Sequence, residues 1–305
     1  KMDFLHRPLP EIPLPNDIAT RYDPNSPTGR RLNASMIAPT NLEARVRELV
    51  DELDGWGVNQ PITIPFTGEL DPQSILAGHR DPLYELDNDV VFLIDVTKDS
   101  AHYGELIRLD VGEGNYPVVL EQIDGYWEHD PRGWTNSIIF EEADEDVDGD
   151  GQIGLGEDIN GNGMLDDGED INGDGVLNPP EDIDADGVLD RPNYLPCGTS
   201  GFEEIACDEK GEWLNPNRDA LQHRADALMT FYERETNTLI IRAMESLRER
   251  STYAVVLTRR IKAADGTPIG SPFESYHHMG QKEALEGIET YLPEGIGQAD
   301  IAFAF

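Results

Sequence analysis

Acidic and amide side chains recur every twelve residues between positions 146 and 193, and their oxygens are the ligands that a hard cation prefers. Read in twelves, the segment is DVDGDGQIGLGE, DINGNGMLDDGE, DINGDGVLNPPE and DIDADGVLDRPN. Calcium takes about six to eight oxygens, and a twelve-residue calcium loop supplies them from positions 1, 3, 5, 7, 9 and 12, with glycine at position 6. The pattern therefore indicates metal binding rather than catalysis.

The predicted ligands occupy these positions of the four loops, with position 7 contributing its backbone carbonyl. They are Asp146, Asp148, Asp150, Gln152 and Glu157; Asp158, Asn160, Asn162, Met164, Asp166 and Glu169; Asp170, Asn172, Asp174, Val176, Asn178 and Glu181; and Asp182, Asp184, Asp186, Val188 and Asp190. Every loop has glycine at position 6, which takes the left-handed turn there without a steric penalty. The fourth loop ends in Asn193, which cannot chelate as a carboxylate does. We therefore expect about three to four Ca²⁺ ions, with the fourth site the weakest.

The loops follow one another directly, which leaves no room for the flanking helices of an EF-hand. The segment instead resembles the tandem calcium loops of thrombospondin type 3 repeats and dockerin-like modules. That resemblance implies a structural array, not a sensor that opens and closes. The alternative is a disordered acidic tract, because residues 146–193 carry fifteen Asp and Glu against the single base Arg191. Without calcium we expect that disordered state, since closely spaced carboxylates repel one another.

Charge and cysteine content restrict the partners and the compartment. A formal net charge of -38 at pH 7 argues against nucleic acid and anionic membranes, because both would be repelled. The sequence contains no run of about eighteen apolar residues, so we predict no membrane span. Cys197 and Cys207 are close enough to predict a short disulfide, the alternative being free buried thiols. Together with the calcium loops, the cysteines predict a secreted, extracellular or cell-surface protein.

Around the loops, the sequence predicts mostly strands. They lie at 62–66, 90–96, 106–111, 118–123, 137–140, 229–232, 239–244, 253–258 and 301–305. Two short helices are predicted, one after the capping residue Thr40 with an apolar face that ends at Gly55, the other at 281–292. Tyr253 at the start of a strand is typical of a tyrosine corner. These features predict a mainly β fold, an Ig-like β-sandwich with an inserted calcium-loop array. The expected domains are a proline-rich extended arm at 1–40, the sandwich at 41–140 and 194–305, and the insertion at 141–193.

Several motifs of the framework are similar to the N-terminal region of bacterial secreted, virulence-factor lipase-like proteins. They are PLPND at 13–17, DPNSPTGRRLN at 23–33, PITIPF at 61–66, LDP at 70–72, VFLIDV at 91–96, STYAVVLT at 251–258 and ADG at 264–266. The resemblance covers most of the chain except the calcium loops. It implies an Ig-like accessory domain, with the hydrolase further along the polypeptide after a strand that 301–305 resembles.

The chain itself carries no catalytic motif. The G-x-S-x-G elbow of serine hydrolases is absent, as are H-E-x-x-H, a phosphate loop and a dinucleotide fingerprint. The adjacent pair His277 and His278 is expected in a solvated loop, because neighbours on a strand point to opposite faces. Two functions remain: a non-catalytic calcium-stabilised structural or adhesive module, and an accessory domain of a secreted lipase or esterase. The arm at 1–40 and the strand at 301–305 are candidates to pair with a sheet edge of a second copy.

Overall fold

The chain forms two compact units, Lys1–Tyr116 with Met229–Phe305 and Pro117–Leu228. The computed structural model describes residues 2–6, 9–79, 85–111, 229–234 and 236–305, together with single residues between 152 and 195. The helices and strands given below all belong to the first unit. Within the described residues, no helix combines the length and apolarity needed to cross a membrane.

The described part of the chain is mainly β, which confirms the predicted class. Its strands form three antiparallel sheets. The strands are β1 (Thr20–Tyr22), β2 (Arg30–Leu32), β3 (Ile62–Pro65), β4 (Val91–Asp95), β5 (Leu106–Ile107), β6 (Leu109–Asp110), β7 (Tyr232–Glu233), β8 (Thr238–Ala243), β9 (Tyr253–Thr258) and β10 (Ile301–Ala304). The helices are α1 (Asn41–Asp51), α2 (Pro72–His79) and α3 (Lys282–Leu285), with 3-10 turns at Asp17–Ala19, Met279–Gln281, Ile288–Tyr291 and Gln298–Asp300.

The first sheet has the order β10-β9-β4-β5 and contributes to a large hydrophobic cluster. β4 is buried at all five residues, which explains why its sequence is apolar without alternation. One face packs on the short helices near the end of the chain, where Leu285, Ile288, Leu292 and Ile296 join a cluster with Phe92. The predicted second helix is therefore present as α3 and a separate 3-10 turn. Gly287, at φ 85, stands between them.

The second sheet has the order β3-β8-β6, with β7 also paired to β8. Buried and partly exposed residues alternate along β3, as expected for a strand with one face toward the core. Its outer edge is paired to the N-terminal arm, because the amides of Leu14 and Thr63 each donate to the other's carbonyl, at 2.9 and 2.7 Å. β5 belongs to the first sheet and β6 to the second, so the chain passes between the sheets with only Arg108 in between.

Two elements were not predicted from sequence, the β1–β2 hairpin and α2. The hairpin lies inside the predicted arm, so residues 20–32 are not a single extended segment. α2 begins at Pro72, and the Asp71 side chain accepts the Gln73 amide at 3.0 Å. This Asp-Pro start is the signal that could have found it.

The C-terminal end of α2 fixes the start of β4. A Cβ added to Gly78 would lie 2.6 Å from the Asn88 carbonyl oxygen, so only glycine allows this close approach. The buried His79 accepts the amides of Val90 and Val91 at Nε2, 3.3 and 3.2 Å away. Since Nε2 accepts, Nδ1 carries the proton and faces Asp89 Oδ1 at 3.3 Å. This histidine is therefore a structural link between α2 and the central strand.

Candidate metal site

Seven of the predicted calcium ligands fall among the described residues: Gln152, Glu157, Asp158, Asn162, Met164, Asp166 and Asp170. The remaining predicted ligands lie outside them. These are Asp146, Asp148, Asp150, Asn160, Glu169, Asn172, Asp174, Val176, Asn178, Glu181, Asp182, Asp184, Asp186, Val188 and Asp190. Cys197 and Cys207, and the predicted strands at 118–123 and 137–140, also lie outside. The loop geometry is therefore described mainly for the second and third loops.

In the second loop, hydrogen bonds connect the positions that are expected to bind the ion. Asp158 at position 1 accepts the amide of Asn162 at position 5, at 2.9 Å to Oδ1. The Asn162 side chain accepts the Met164 amide at 2.7 Å and donates to Asp166 Oδ2 at 2.7 Å. Positions 1, 5, 7 and 9 of one loop are thus linked by three short contacts. Four of the positions that supply ligands in a calcium loop are therefore close to one another here.

In the third loop, the side chain at position 1 likewise accepts a backbone amide from its own loop. Asp170 at position 1 accepts the amide of Gly175 at position 6, at 3.2 Å to Oδ2. Gly175 has φ 75, so the predicted left-handed glycine at position 6 is confirmed for this loop. A Cβ placed there would meet nothing within 4 Å. Glycine is therefore needed for the backbone conformation and not for space.

Burial differs sharply among the loop residues. Glu157, the predicted bidentate ligand at position 12 of the first loop, is only 4 % exposed. Met164, whose carbonyl is the predicted ligand at position 7 of the second loop, has a 62 % exposed residue surface. The predicted carboxylate ligand is thus buried, whereas the side chain of the residue that would bind through its carbonyl is exposed.

The described residues alone do not complete a metal site. Among them, no three side chains of the His, Cys, Asp and Glu types converge as metal ligands. Positions 3 and 12 of the second and third loops, which supply the remaining carboxylates or amides, lie outside this part of the chain. Each described loop therefore provides a partial ligand set, with positions 1, 5, 7 and 9 in the second loop and position 1 in the third.

A second group of charged side chains, which sequence reasoning missed, lies at the end of the first sheet. Asp95, the last residue of β4, is fully buried and accepts the Thr97 amide at 2.8 Å. Its other oxygen accepts from Arg248 Nη1 at 3.1 Å, while Arg248 Nη2 donates to Glu105 Oε2 at 2.7 Å. His102 Nδ1 lies 2.9 Å from the same Glu105 oxygen. One acid inside an otherwise apolar strand sequence was the available signal.

The backbone of Arg248 is itself held by a tyrosine hydroxyl. The Arg248 amide donates to the Tyr253 hydroxyl at 2.9 Å, which is the backbone hydrogen bond expected of a tyrosine corner. Beside it lies a shallow pocket of about 90 Å³, lined by Ile107, Glu245, Ser246, Leu247, Arg248 and Tyr253. Arg248 donates to two carboxylates, and the Ser246 hydroxyl donates to Asn59 Oδ1 at 2.7 Å, so both of these wall residues have partners within the chain. The group joins the loop before β9 to the end of β4.

The prediction of a solvated loop for His277 and His278 is wrong. His277 is 7 % exposed, and its Nδ1 donates to the His278 carbonyl at 3.1 Å. Its ring packs edge-on against Tyr276 with 4.8 Å between centroids. His278 accepts the Gly280 amide at 3.1 Å and caps the following 3-10 turn. Both rings therefore make contacts that support the local fold.

Comparison with known proteins supplies no family. No protein-family model matches the chain, no curated protein matches it, and no solved structure matches it. The functional argument therefore depends on the residues and the geometry described above.

Proposed function

We propose that this chain is a non-catalytic, calcium-stabilised structural or adhesive module of the cell surface or of an extracellular assembly. Its four tandem loops at 146–193 would bind about three to four Ca²⁺ ions. The observation that carries the proposal is the twelve-residue register, in which Asp158 and Asp170 at position 1 accept amides from positions 5 and 6 of their own loops. Acidity alone does not require a glycine at every twelfth position or this pattern of turn closure.

Charge balance supports a metal in the loops. The stretch 146–193 carries fifteen acidic side chains and one base, Arg191. Carboxylates crowded at this density repel one another. Divalent cations remove this repulsion, since each ion neutralises two charges and coordinates the carboxylate oxygens directly. Calcium is favoured over zinc because the ligand set contains oxygen and lacks His and Cys.

We further propose that the framework is an Ig-like β-sandwich. Two observations support it. The chain moves from the first sheet to the second across the single residue Arg108, as strands at a sandwich edge do. The Tyr253 hydroxyl accepts a backbone amide five residues upstream at the start of β9, which is the hydrogen bond of a tyrosine corner.

Assembly through the N-terminal arm or the last strand would be an exchange of strands between copies. Leu14 pairs with Thr63 of the same chain. At the outer edge of β10, the Ala304 amide donates to the Tyr276 carbonyl at 2.6 Å. Both segments therefore have partners that a second copy would replace. Sedimentation of the full chain and of a form without residues 1–16 tests the arm. Assembly that needs the arm supports the exchange, and identical sedimentation removes it.

Calorimetric titration of the chelator-treated protein with CaCl₂ tests the calcium sites. The expected result is saturable binding of about three to four ions, in the millimolar to sub-millimolar range of extracellular calcium modules. Asp170→Ala should remove about one ion from the stoichiometry, while Asp265→Ala, in a turn of the framework, should leave it unchanged. Absence of saturable binding at millimolar calcium would show that the repeat is an acidic tract without metal.

The second candidate is an accessory domain of a secreted lipase or esterase. It is favoured by the motif resemblance together with the tyrosine corner at Tyr253. The coding sequence that follows Phe305 separates the two candidates. A serine elbow followed by Asp and His there supports the lipase, whereas further β-sandwich repeats support the structural module. Thiol titration of the unfolded protein tests the disulfide between Cys197 and Cys207 and the extracellular location, because a disulfide leaves no reactive thiol.

A further inference from the structure

Helix α1 turns its apolar side away from the framework. Leu42 is 77 % exposed, and Val46, Leu49 and Leu53 are each 51 % exposed. The helix residue that is buried is instead Arg47, at 7 % exposure. The sequence predicts an apolar face toward the core, so the observed helix has the opposite orientation. The Thr40 cap is confirmed, with the Thr40 hydroxyl accepting the Glu43 amide at 3.2 Å.

A polar network holds this orientation at the middle of the helix. Arg47 donates from Nη1 to the carbonyl of Ser35 at 3.1 Å and to that of Ile37. Its Nη2 also binds Glu43, one turn earlier on the helix. Asp51 lies one turn after Arg47 on the same face, accepting the Ala34 amide at 3.1 Å. The face of α1 that packs on the chain therefore carries these charged side chains beside the half-buried Ala44 and Val50.

The hairpin β1–β2 binds the end of the same helix. Arg21 contacts Asp51 Oδ2 at 2.8 Å, and the Leu32 amide donates to the Leu53 carbonyl at 3.0 Å. Arg31 donates to the Glu52 carbonyl. Cations at a helix C-terminus satisfy carbonyls that have no partner within the helix. Turning the apolar side inward would break all of these contacts, so the exposed stripe is a fixed feature of the surface.

The spacing of the stripe fits a partner helix. Leu42, Val46 and Leu49 are separated by four and then three residues, and Leu53 continues the series. This is the a/d spacing with which one helix packs its side chains between those of another. Single exposed apolar residues are ordinary on protein surfaces, but an aligned stripe marks an interaction site.

The charges around α1 indicate which kind of helix would bind to its exposed stripe. Of the five acids in the segment 40–54, three form ion pairs with arginines of this chain, which leaves Glu52 and Asp54 to attract a cation. A second copy would bring the same two acids against this face, and the net charge of -38 repels an anionic membrane. We propose that α1 is a docking site for an amphipathic helix of another protein, with apolar side chains in its seam and Lys or Arg beside it. The proposal goes beyond the calcium-dependent function and does not depend on it.

Fluorescence anisotropy with designed peptides tests the docking site on the full chain. The probe is a helix of roughly 21 residues with Leu at the seam and Lys on its flanks, and the matched peptide carries Glu on the flanks. The Lys probe should bind saturably, and the Glu peptide at least about tenfold more weakly. The double variant Val46→Ser/Leu49→Ser should weaken the Lys probe by at least about tenfold. Met279→Ser, which changes an 85 % exposed residue elsewhere, should leave binding unchanged.

Four results would overturn the proposal. They are no saturable binding of the Lys probe, equal binding of both peptides, equal weakening by the two sets of variants, and a large fall in the melting temperature of the double variant. The last would mean that the stripe is covered within the chain.

Two further experiments test other occupants of the stripe, and either positive result would also overturn the proposal. Sedimentation that shows a dimer lost in the double variant would assign the stripe to a second copy. Flotation with phosphatidylcholine vesicles, lost in the same variant, would assign it to a lipid surface.

Discussion

The end of the first sheet and the calcium loops handle buried acidic side chains in different ways. Asp95 in β4 is fully buried, and the guanidinium of Arg248 lies 3.1 Å away within the same framework. Glu157 in the loops is 4 % exposed, in a stretch where fifteen acids share one base. The framework thus contains its own countercharge, and under the proposed function the loops would take theirs from bound calcium. Changes in the framework should therefore cost the same with and without calcium, and changes in the loops should cost stability only when calcium is present.

Phe92→Ala should have the largest effect on the framework. Phe92 is 1 % exposed in the cluster between β4, β9 and the short helices. Removing a buried ring leaves a cavity and costs about 3–5 kcal/mol of unfolding free energy. Denaturant unfolding should give the same loss in calcium and in chelator. Met279→Ala, at an 85 % exposed position, is the matched control and should change stability by less than about 0.5 kcal/mol. A loss seen only in calcium would break the distinction between the two regions.

Arg248→Met should come next, because it leaves the Asp95 carboxylate buried with the Thr97 amide but without its cation. We expect a loss of about 2 kcal/mol, less than for a fully buried pair since the Arg248 side chain is one-third exposed. Lys98→Met is the matched control. Its ion pair with Glu283 is exposed, and such pairs contribute about 0–1 kcal/mol. Equal effects of the two substitutions would show that the ion pair of Asp95 and Arg248 contributes no more stability than an exposed pair.

Asp170→Ala should differ from the framework substitutions by lowering stability only when calcium is present. At a calcium concentration about ten times the dissociation constant, one lost ion corresponds to about 1.4 kcal/mol. In chelator the same variant should be neutral or slightly stabilising, because it removes one of several repelling charges. Unfolding curves in both conditions provide the measurement. A loss of equal size in chelator would mean that Asp170 acts through its bond to Gly175 and not through a metal.

Tyr253→Phe should have the smallest effect. It removes the hydroxyl that accepts the Arg248 amide at 2.9 Å, and one such hydrogen bond is worth about 1 kcal/mol. The loss should again be independent of calcium. Tyr22→Phe, in an exposed strand of the hairpin, is the control and should be neutral. No change for Tyr253→Phe in equilibrium unfolding would show that the corner does not stabilise the framework.

The strands were predictable because burial leaves its pattern in the sequence. β4 and β9 have continuous apolar sequences and lie where the sequence places them, with β9 at Tyr253–Thr258. The predicted strand at 106–111 is broken into β5 and β6, because its two halves pair with different sheets. Nothing in the local sequence states which neighbour a strand will have. That choice is made by pairing across long separations.

Orientation of a helix proved less predictable than its position. The cap at Thr40 places α1 correctly because capping is local. The periodicity shows that an apolar stripe exists but does not say what covers it. In the second predicted helix, Leu285 and Ile288 are buried on the first sheet, whereas in α1 Leu42 and Leu49 are exposed. The difference comes from Arg21, Arg31 and Arg47, whose partners include residues from 10 to 30 positions away.

The calcium loops are predicted from local sequence alone, since each ligand of such a loop has a fixed position within twelve residues. The left-handed glycine at position 6 follows from this template and is observed at Gly175. The cluster of Asp95, Glu105 and Arg248 joins residues up to 153 positions apart, and the sequence shows only that one acid interrupts an apolar strand.

Differential scanning calorimetry of the full chain, in millimolar calcium and again with excess chelator, tests the calcium claim most directly. If three to four sites are each held at about ten times their dissociation constant, calcium stabilises the protein by about 4–6 kcal/mol. After chelation, we expect the protein to melt at a lower temperature or to lose one transition. Restoring calcium should restore the original curve. Superimposable traces in the two conditions would contradict it.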